Sequence, residues 1–229
     1  MKKFVMVSLY SYIIPVDDGA APNPFFGVCT LAICKPKIRK NAKVGDWIIG
    51  LGSKNAPSGD LSGKVVYIME VNEVLTLKEY DEKVPEMWPG KIPDFNHDDY
   101  NLRLGDCIYD YHNTQNPKPS QRKGVHYEEN IYTDLGGENV LISSNFYYFG
   151  NEPIVLPEEL KNIIHQGQGH QRPKNAPYID KFKEWIDELP YESGVLYGKP
   201  DYQIDWGKPD PCSVCATTRK KYAFKDRTC

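Results

Sequence analysis

The chain has 229 residues, 40% hydrophobic and 12% aromatic, enough to bury a substantial core and too apolar for a disordered tail. Its 28 basic residues against 31 acidic ones leave a net charge of −3, which excludes a surface coated in positive field for non-specific DNA binding. The apolar runs are too short for a transmembrane helix, and six cysteines are too sparse for a disulfide scaffold.

The opening "MKKFVMVSLYSYIIP" has a basic start, but Ser8 and Ser11 interrupt its apolar run and no small-residue cleavage site follows. It reads as a first strand over 4–14, in a cytoplasmic protein with no membrane partner. "PVDDGAAPNPFFG", 15–27, is a loop rich in Pro, Gly and Asp. "VCTLAIC", 28–34, reads as a second strand, with Cys29 and Cys34 as small buried hydrophobes. "KPKIRKNAK" then gathers Lys35, Lys37, Arg39, Lys40 and Lys43, the densest basic cluster of the chain.

Gly45 and Asp46 make a tight turn into the strand "WIIG", and a loop over 53–63 leads to a long strand over 64–75. Its length suits a strand curling around a barrel. Residues 76–88 predict a short helix ended by Pro85. The polar segment at about 89–130 is a long excursion with one small strand, "DCIYDY", at 106–111. Strand character resumes over 139–150. A helix opens at Pro157, and 176–190 spaces Ile179, Phe182, Ile186 and Leu189 as an amphipathic helix. The composition predicts an α+β fold: a small β-barrel with a few helices and long loops. It is one domain over 1–190 including the insertion, followed by a loose tail over 191–229.

Several stretches carry candidate chemistry, each with an ordinary alternative. Phe25 and Phe26, held between prolines, suit stacking on a planar base, or packing as a cap on the barrel end. Arg39 is the basic residue whose fork grips a phosphate in two places, unless the cluster is a solvated face. Trp47 lines a pocket or sits in the core. The glycines around Ser53 and Lys54 allow close approach of a ligand to the backbone, or simply make a hairpin loop.

"HQGQGHQR", 165–172, is the best candidate for chemistry. Gly167 and Gly169 can form an anion-binding nest, Arg172 adds charge-assisted bonds, and His170 suits an acid or base; the alternative is a helix C-cap. No local motif ties a Ser or Cys nucleophile to these histidines. The loop 94–106, with Asp94, His97, Asp98, Asp99 and Asp106, matches no metal-binding spacing and reads as solvated turns. Cys212 and Cys215 form a C-x-x-C with Cys229 beyond it; three thiols fall one short of a structural zinc set, so the count favours no metal. No cofactor motif is present.

Two resemblances run through these pieces. "VGDWIIG" followed by "GKVVYIMEVNEVL" resembles PUA-like domains of the EVE and ASCH type, which implies a barrel with a Gly-Asp turn launching a strand beside a pocket. Along most of the chain, "SYII", "APNPFFGVCTLAICKPKIRKNAKVGDWIIGLGSK", "GDCIYDY", "DLGGENVLISSNFYYFG" and "GQGHQR" are similar to the nucleotide modification associated domain family, the second of that name. That resemblance implies a bacterial or phage setting in which DNA bases are altered. It also singles out residues 165–172. The expectation is a binding module for a modified base or nucleotide, making local contacts only. The alternatives are an enzyme with His170 as acid/base and an Asp of 94–106 as partner, or an interaction subunit docked on other proteins of a modification system. The module and enzyme readings place Trp47 and His170 on one pocket.

Overall fold

The computed structural model describes residues 7–112, 118–165, 167 and 169–204. The strands are β1 (Leu9–Ile14), β2 (Cys29–Leu31), β3 (Trp47–Gly52), β4 (Lys64–Glu70), β5 (Glu73–Thr76), β6 (Tyr109–Asp110), β7 (Ser120–Gln121), β8 (Asn139–Ser143), β9 (Asn145–Tyr148), β10 (Ile154–Val155) and β11 (Val195–Leu196). The helices are α1 (Pro36–Asn41), α2 (Leu77–Met87), α3 (Tyr100–Arg103), α4 (Ile131–Leu135) and α5 (Ile179–Asp187), joined by short 3-10 turns.

Two sheets carry the fold. The larger runs β1-β3-β4-β9-β11, with β10 on the far end of β4; β1 pairs β3 in parallel, and β4 is antiparallel to both its neighbours. The smaller is antiparallel, in the order β2-β8-β5. Alternation along the strands sorts side chains between layers. Tyr10, Tyr12, Ile48 and Tyr148 of the large sheet meet Cys29, Leu31 and Leu141 of the small one in a shared core. Leu9, Trp47, Ile49 and Leu51 face the other way and pack under α5. The outer face of the small sheet, through Val140 and Ile142, is covered by α2 and by parts of the 89–130 segment.

The result is an α+β molecule with mixed and antiparallel sheets, and its strands do not close into the PUA-like barrel. The expected long strand of 64–75 breaks at Val71 and Asn72. Val71 leaves the ladder through a bond to Asp46 O, and the Asn72 amide bonds Ile142 O of the small sheet. The chain thus turns a corner from one sheet to the other. A second corner at Ser144 splits 139–150 into β8 and β9. Asn72 holds that corner too, its side-chain oxygen accepting from the amides of Ser144 and Asn145 at 2.8 and 3.1 Å.

Other differences are local. α2 runs past Pro85 to Met87, because a proline in the last turn removes only one backbone bond while a Thr76–Glu79 capping box secures the start. The basic run forms α1, which turns Ile38 and Arg39 inward. Residues expected in a loose tail instead join the fold. Val195 and Leu196 add a parallel strand beside β9, and Ile204 is buried, its amide bonded to the Tyr100 hydroxyl. Cys212, Cys215 and Cys229 lie outside the described residues.

Candidate functional site

The turn at Gly45–Asp46 sets the register of the site. Gly45 takes φ 89, which only glycine adopts cheaply, and Asp46 accepts from the amides of Ser8 and Lys43 at 2.7 and 2.9 Å. This lays β1 beside β3 with Tyr10 and Tyr12 on one face.

Residues 165–172 are clamped onto β1. Ser11 and Gln171 exchange backbone bonds of 3.0 and 2.8 Å. Fully buried Asn175 donates to Leu9 O, Gln171 O and Ser11 Oγ, and Gln171 Nε2 returns a bond to Asn175 Oδ1. His170 comes to rest with its ring 5.8 Å from that of Tyr10. Arg172 reaches the same tyrosine, its Nη1 3.4 Å from the hydroxyl and its guanidinium 5.8 Å from the ring. Lys35 Nζ lies 4.3 Å over the ring of Tyr12. Burial, together with the positive fields of His165, Lys37, Lys35 and Arg172, holds the His170 pKa below the usual imidazole value. Gly167 and Gly169 take φ 100 and 106, in the left-handed region that favours glycine. The surface over Tyr10 and Tyr12 therefore concentrates basic groups.

A second arrangement adjoins it at Lys35. Past the end of β2, Cys34 and Lys35 take left-handed conformations, φ 57 and 39, before α1 begins at Pro36. Cys34 Sγ lies 3.4 Å from His126 Nε2, and His126 Nδ1 lies 2.6 Å from Asp134 Oδ2. Asp134 also accepts from the Cys34 amide and the Tyr109 hydroxyl, both at 2.9 Å. Burial opposes charge on His126, yet Cys34 and Asp134 hold its pKa well above the usual value. Burial likewise opposes the Asp134 carboxylate, and His126, the Cys34 amide and Arg39 together more than offset it, holding its pKa below the usual value.

Arg39 belongs to this second cluster, which corrects its assignment to phosphate. Its guanidinium is fully buried, donating from Nε to Cys34 O and from Nη1 to Asn139 O, both at 2.7 Å, and from Nη2 to Asp134 O. With those carbonyls in hand it staples the Cys34 turn to α4 and β8. Gly137 makes room for it, since a Cβ there would stand 2.3 Å from the guanidinium carbon.

The remaining predicted residues are not brought together. Trp47 faces the layer under α5, 5.6 Å from the Phe182 ring, whereas Tyr10 beneath His170 points into the opposite core. The two rings therefore border no common pocket. Its Nε1 is buried without a hydrogen-bond partner. Phe25 and Phe26 pack in the cluster on the outer face of the small sheet, Phe26 against Gly90. Ser53 and Lys54 leave β3 beside Ile14, about 13 Å along β1 from Tyr10. In the 94–106 loop, Asp94 and Asp99 bond local amides, and Asp106 is buried on Thr30 and Tyr80. None of these carboxylates is bonded to His170. Asp81, Asp110 and His112 converge, but Arg122 Nη1 sits 2.7 Å from Asp81 Oδ1 and already supplies the positive charge there.

The Cys34–His126–Asp134 cluster has no local signature, its members lying 92 and 100 residues from Cys34. The one sequence hint is a cysteine between an apolar strand and a helix opened by proline, the strand–turn–helix position that exposes a nucleophile.

Among the described residues no helix is long and apolar enough to cross a membrane. Neither a curated protein nor a solved structure matches this chain. Residues 6–208 do match nucleotide modification associated domain 2, and with nearly the whole described fold inside that span the chain belongs to this family, whose setting is nucleotide modification.

Proposed function

We propose that this protein recognises a nucleotide, or one nucleotide of a nucleic acid carrying a modified base, at the basic surface over Tyr10 and Tyr12. The observation that carries this reading is the gathering of Lys35, Lys37, His165 and Arg172 around His170 in a chain of net charge −3. A local cluster on an otherwise acidic protein selects a single anionic group rather than a long backbone. Nucleotide modification is the family's setting, so the phosphate of a nucleotide is the anion best matched to the site.

Titration of labelled modified and plain nucleotides by fluorescence anisotropy tests it. Arg172→Ala and Lys37→Ala should each weaken binding about tenfold and flatten its salt dependence. Undiminished binding by both variants, or no binding of either ligand by the intact protein, overturns the proposal.

A second reading makes the protein an enzyme with His170 as base. What favours it is the lowered pKa, which keeps the ring neutral at pH 7 and ready to accept a proton. Under this reading His170→Ala abolishes turnover of a nucleotide while binding persists.

A further inference from the structure

We infer that Cys34 and His126, with the ring held by Asp134, form a nucleophilic centre for acyl transfer, acting on a carboxamide or ester borne by a nucleotide. The inference rests on the phosphate reading above for its nucleotide end only. The thiol chemistry stands on its own geometry.

Cys34 Sγ, His126 Nε2, His126 Nδ1 and Asp134 Oδ2 form one line of hydrogen bonds, with separations of 3.4 and 2.6 Å at its two links. The ionised Asp134 carboxylate accepts from Nδ1–H and fixes the ring, so Nε2 faces the sulfur and shares a proton with it. Cys34 is partly exposed, whereas Cys29 and Cys107 are buried. Burial pushes the Cys29 thiol up to about 12 and raises that of Cys107 as well, leaving both inert. Two successive non-glycine residues in the left-handed region cost about 1–2 kcal/mol each, and the fold bears that cost where it aims this one sulfur at an imidazole.

The relay selects the reaction. Sγ bonds to the carbonyl carbon, leaving the shared proton on Nε2. The C–N or C–O bond then breaks, and Nε2 hands the proton to the departing amine or alcohol. Water next attacks the thioester: its proton goes to Nε2, its oxygen bonds the carbon, the S–C bond breaks and the sulfur recovers its proton. The sum is amide or ester plus water giving acid plus amine or alcohol, with no change of oxidation state. Addition of a thiol to a base ring expels no group and would leave the second half of the relay idle. Lys35 directly follows the nucleophile, and Tyr12 beneath its Nζ sits about 7 Å along β1 from Tyr10, so the anion-binding surface borders the reacting sulfur.

Two probes separate the parts of this proposal. With p-nitrophenyl acetate, mass spectrometry of the intact protein and its peptides should locate an acetyl group on Cys34. It should form on the order of a hundredfold faster than on the same residue in urea, and on the order of a hundredfold slower in His126→Gln. Native Cys34 acylating no faster than in the unfolded chain overturns the centre, a comparison that does not depend on any variant folding. With N4-acetylcytidine 5′-monophosphate, the chain should release acetate, and Cys34→Ser should not. Acylation by the ester without release from the nucleotide overturns the substrate class. Release that is insensitive to Arg172→Ala and Lys37→Ala supports the centre and overturns the phosphate reading alone.

Discussion

The indole of Trp47 shows how one side chain can be useful in the core and imperfect there. It fills the layer between β3 and α5, edge-on to Phe182, but its N–H has no partner. An unmade bond of that kind costs about 1–3 kcal/mol, close to what the extra ring area contributes. Trp47→Phe should therefore stay within about 1 kcal/mol of the parent in denaturant unfolding, while Trp47→Ala loses about 3–5 kcal/mol. Nucleotide binding should be unchanged in the Phe variant, because the residue faces away from Tyr10. At this scale the sequence was legible only as a pair of readings. "GDWIIG" marks a strand with a Trp at its start, but which face the ring takes depends on the partner strand's register, here Trp47 opposite Leu9.

At the scale of elements, the loop carrying His170 and Arg172 depends on one amide. Asn175 spends its donors on Leu9 O, Ser11 Oγ and Gln171 O, tying the loop to an edge strand that would otherwise expose its backbone. Asn175→Ala leaves buried acceptors unpaired and should cost about 1–3 kcal/mol. Hydrogen exchange at the Ser11 and Gln171 amides should accelerate in the same variant, and nucleotide affinity should fall with it. The glycines and histidines of 165–172 were readable as a candidate anion loop, since their types are enough to suggest it. The clamp was not, because Asn175 looks like any polar residue between Lys174 and Ala176. α1 misled in another way. Five cations in nine residues suggest one positive face, but the helical turn separates them: Lys35 and Lys37 lie towards His170, Lys40 pairs with Glu138, and Arg39 goes inward.

Across the whole molecule, Asp17 joins the shared core to the chain's later residues. Its carboxylate accepts from Tyr148 of β9 at 2.6 Å and from the Gly19 amide at 3.3 Å, and its carbonyl accepts from Tyr202 at 2.9 Å. Burial pushes the carboxyl from 3.8 up to about 7, against the bond from Tyr148, and Asp18 and Asp201 add to the rise. A folded-state pKa above the unfolded one gives stability that is complete below about 4 and lost as pH climbs through about 7. Asp17→Asn, which keeps an acceptor for Tyr148 without the charge, should gain about 1–3 kcal/mol on the parent between pH 4.5 and pH 8. Thermal unfolding at the two pH values checks this, and an equal gap at both would show that Asp17 does not titrate there.

Periodicity and punctuation were enough to find β1, β3, α2 and the buried stripe of α5, because alternation, capping and a 3.6-residue repeat are properties of neighbours in the chain. The family came instead from the resemblance of whole stretches, borne out by the match over residues 6–208, and the His170 loop from that resemblance and its residue types. Closure is another matter: the corners at Val71–Asn72 and Ser144 hand the strands to a second sheet, and no local pattern distinguishes that from a barrel. Nor does any local pattern bring Cys34 to His126 across 92 residues, or take Arg39 from a basic run to the centre of that cluster. Those contacts exist because two sheets stack and share a core, and chemistry between residues so far apart becomes visible only when that packing is in place.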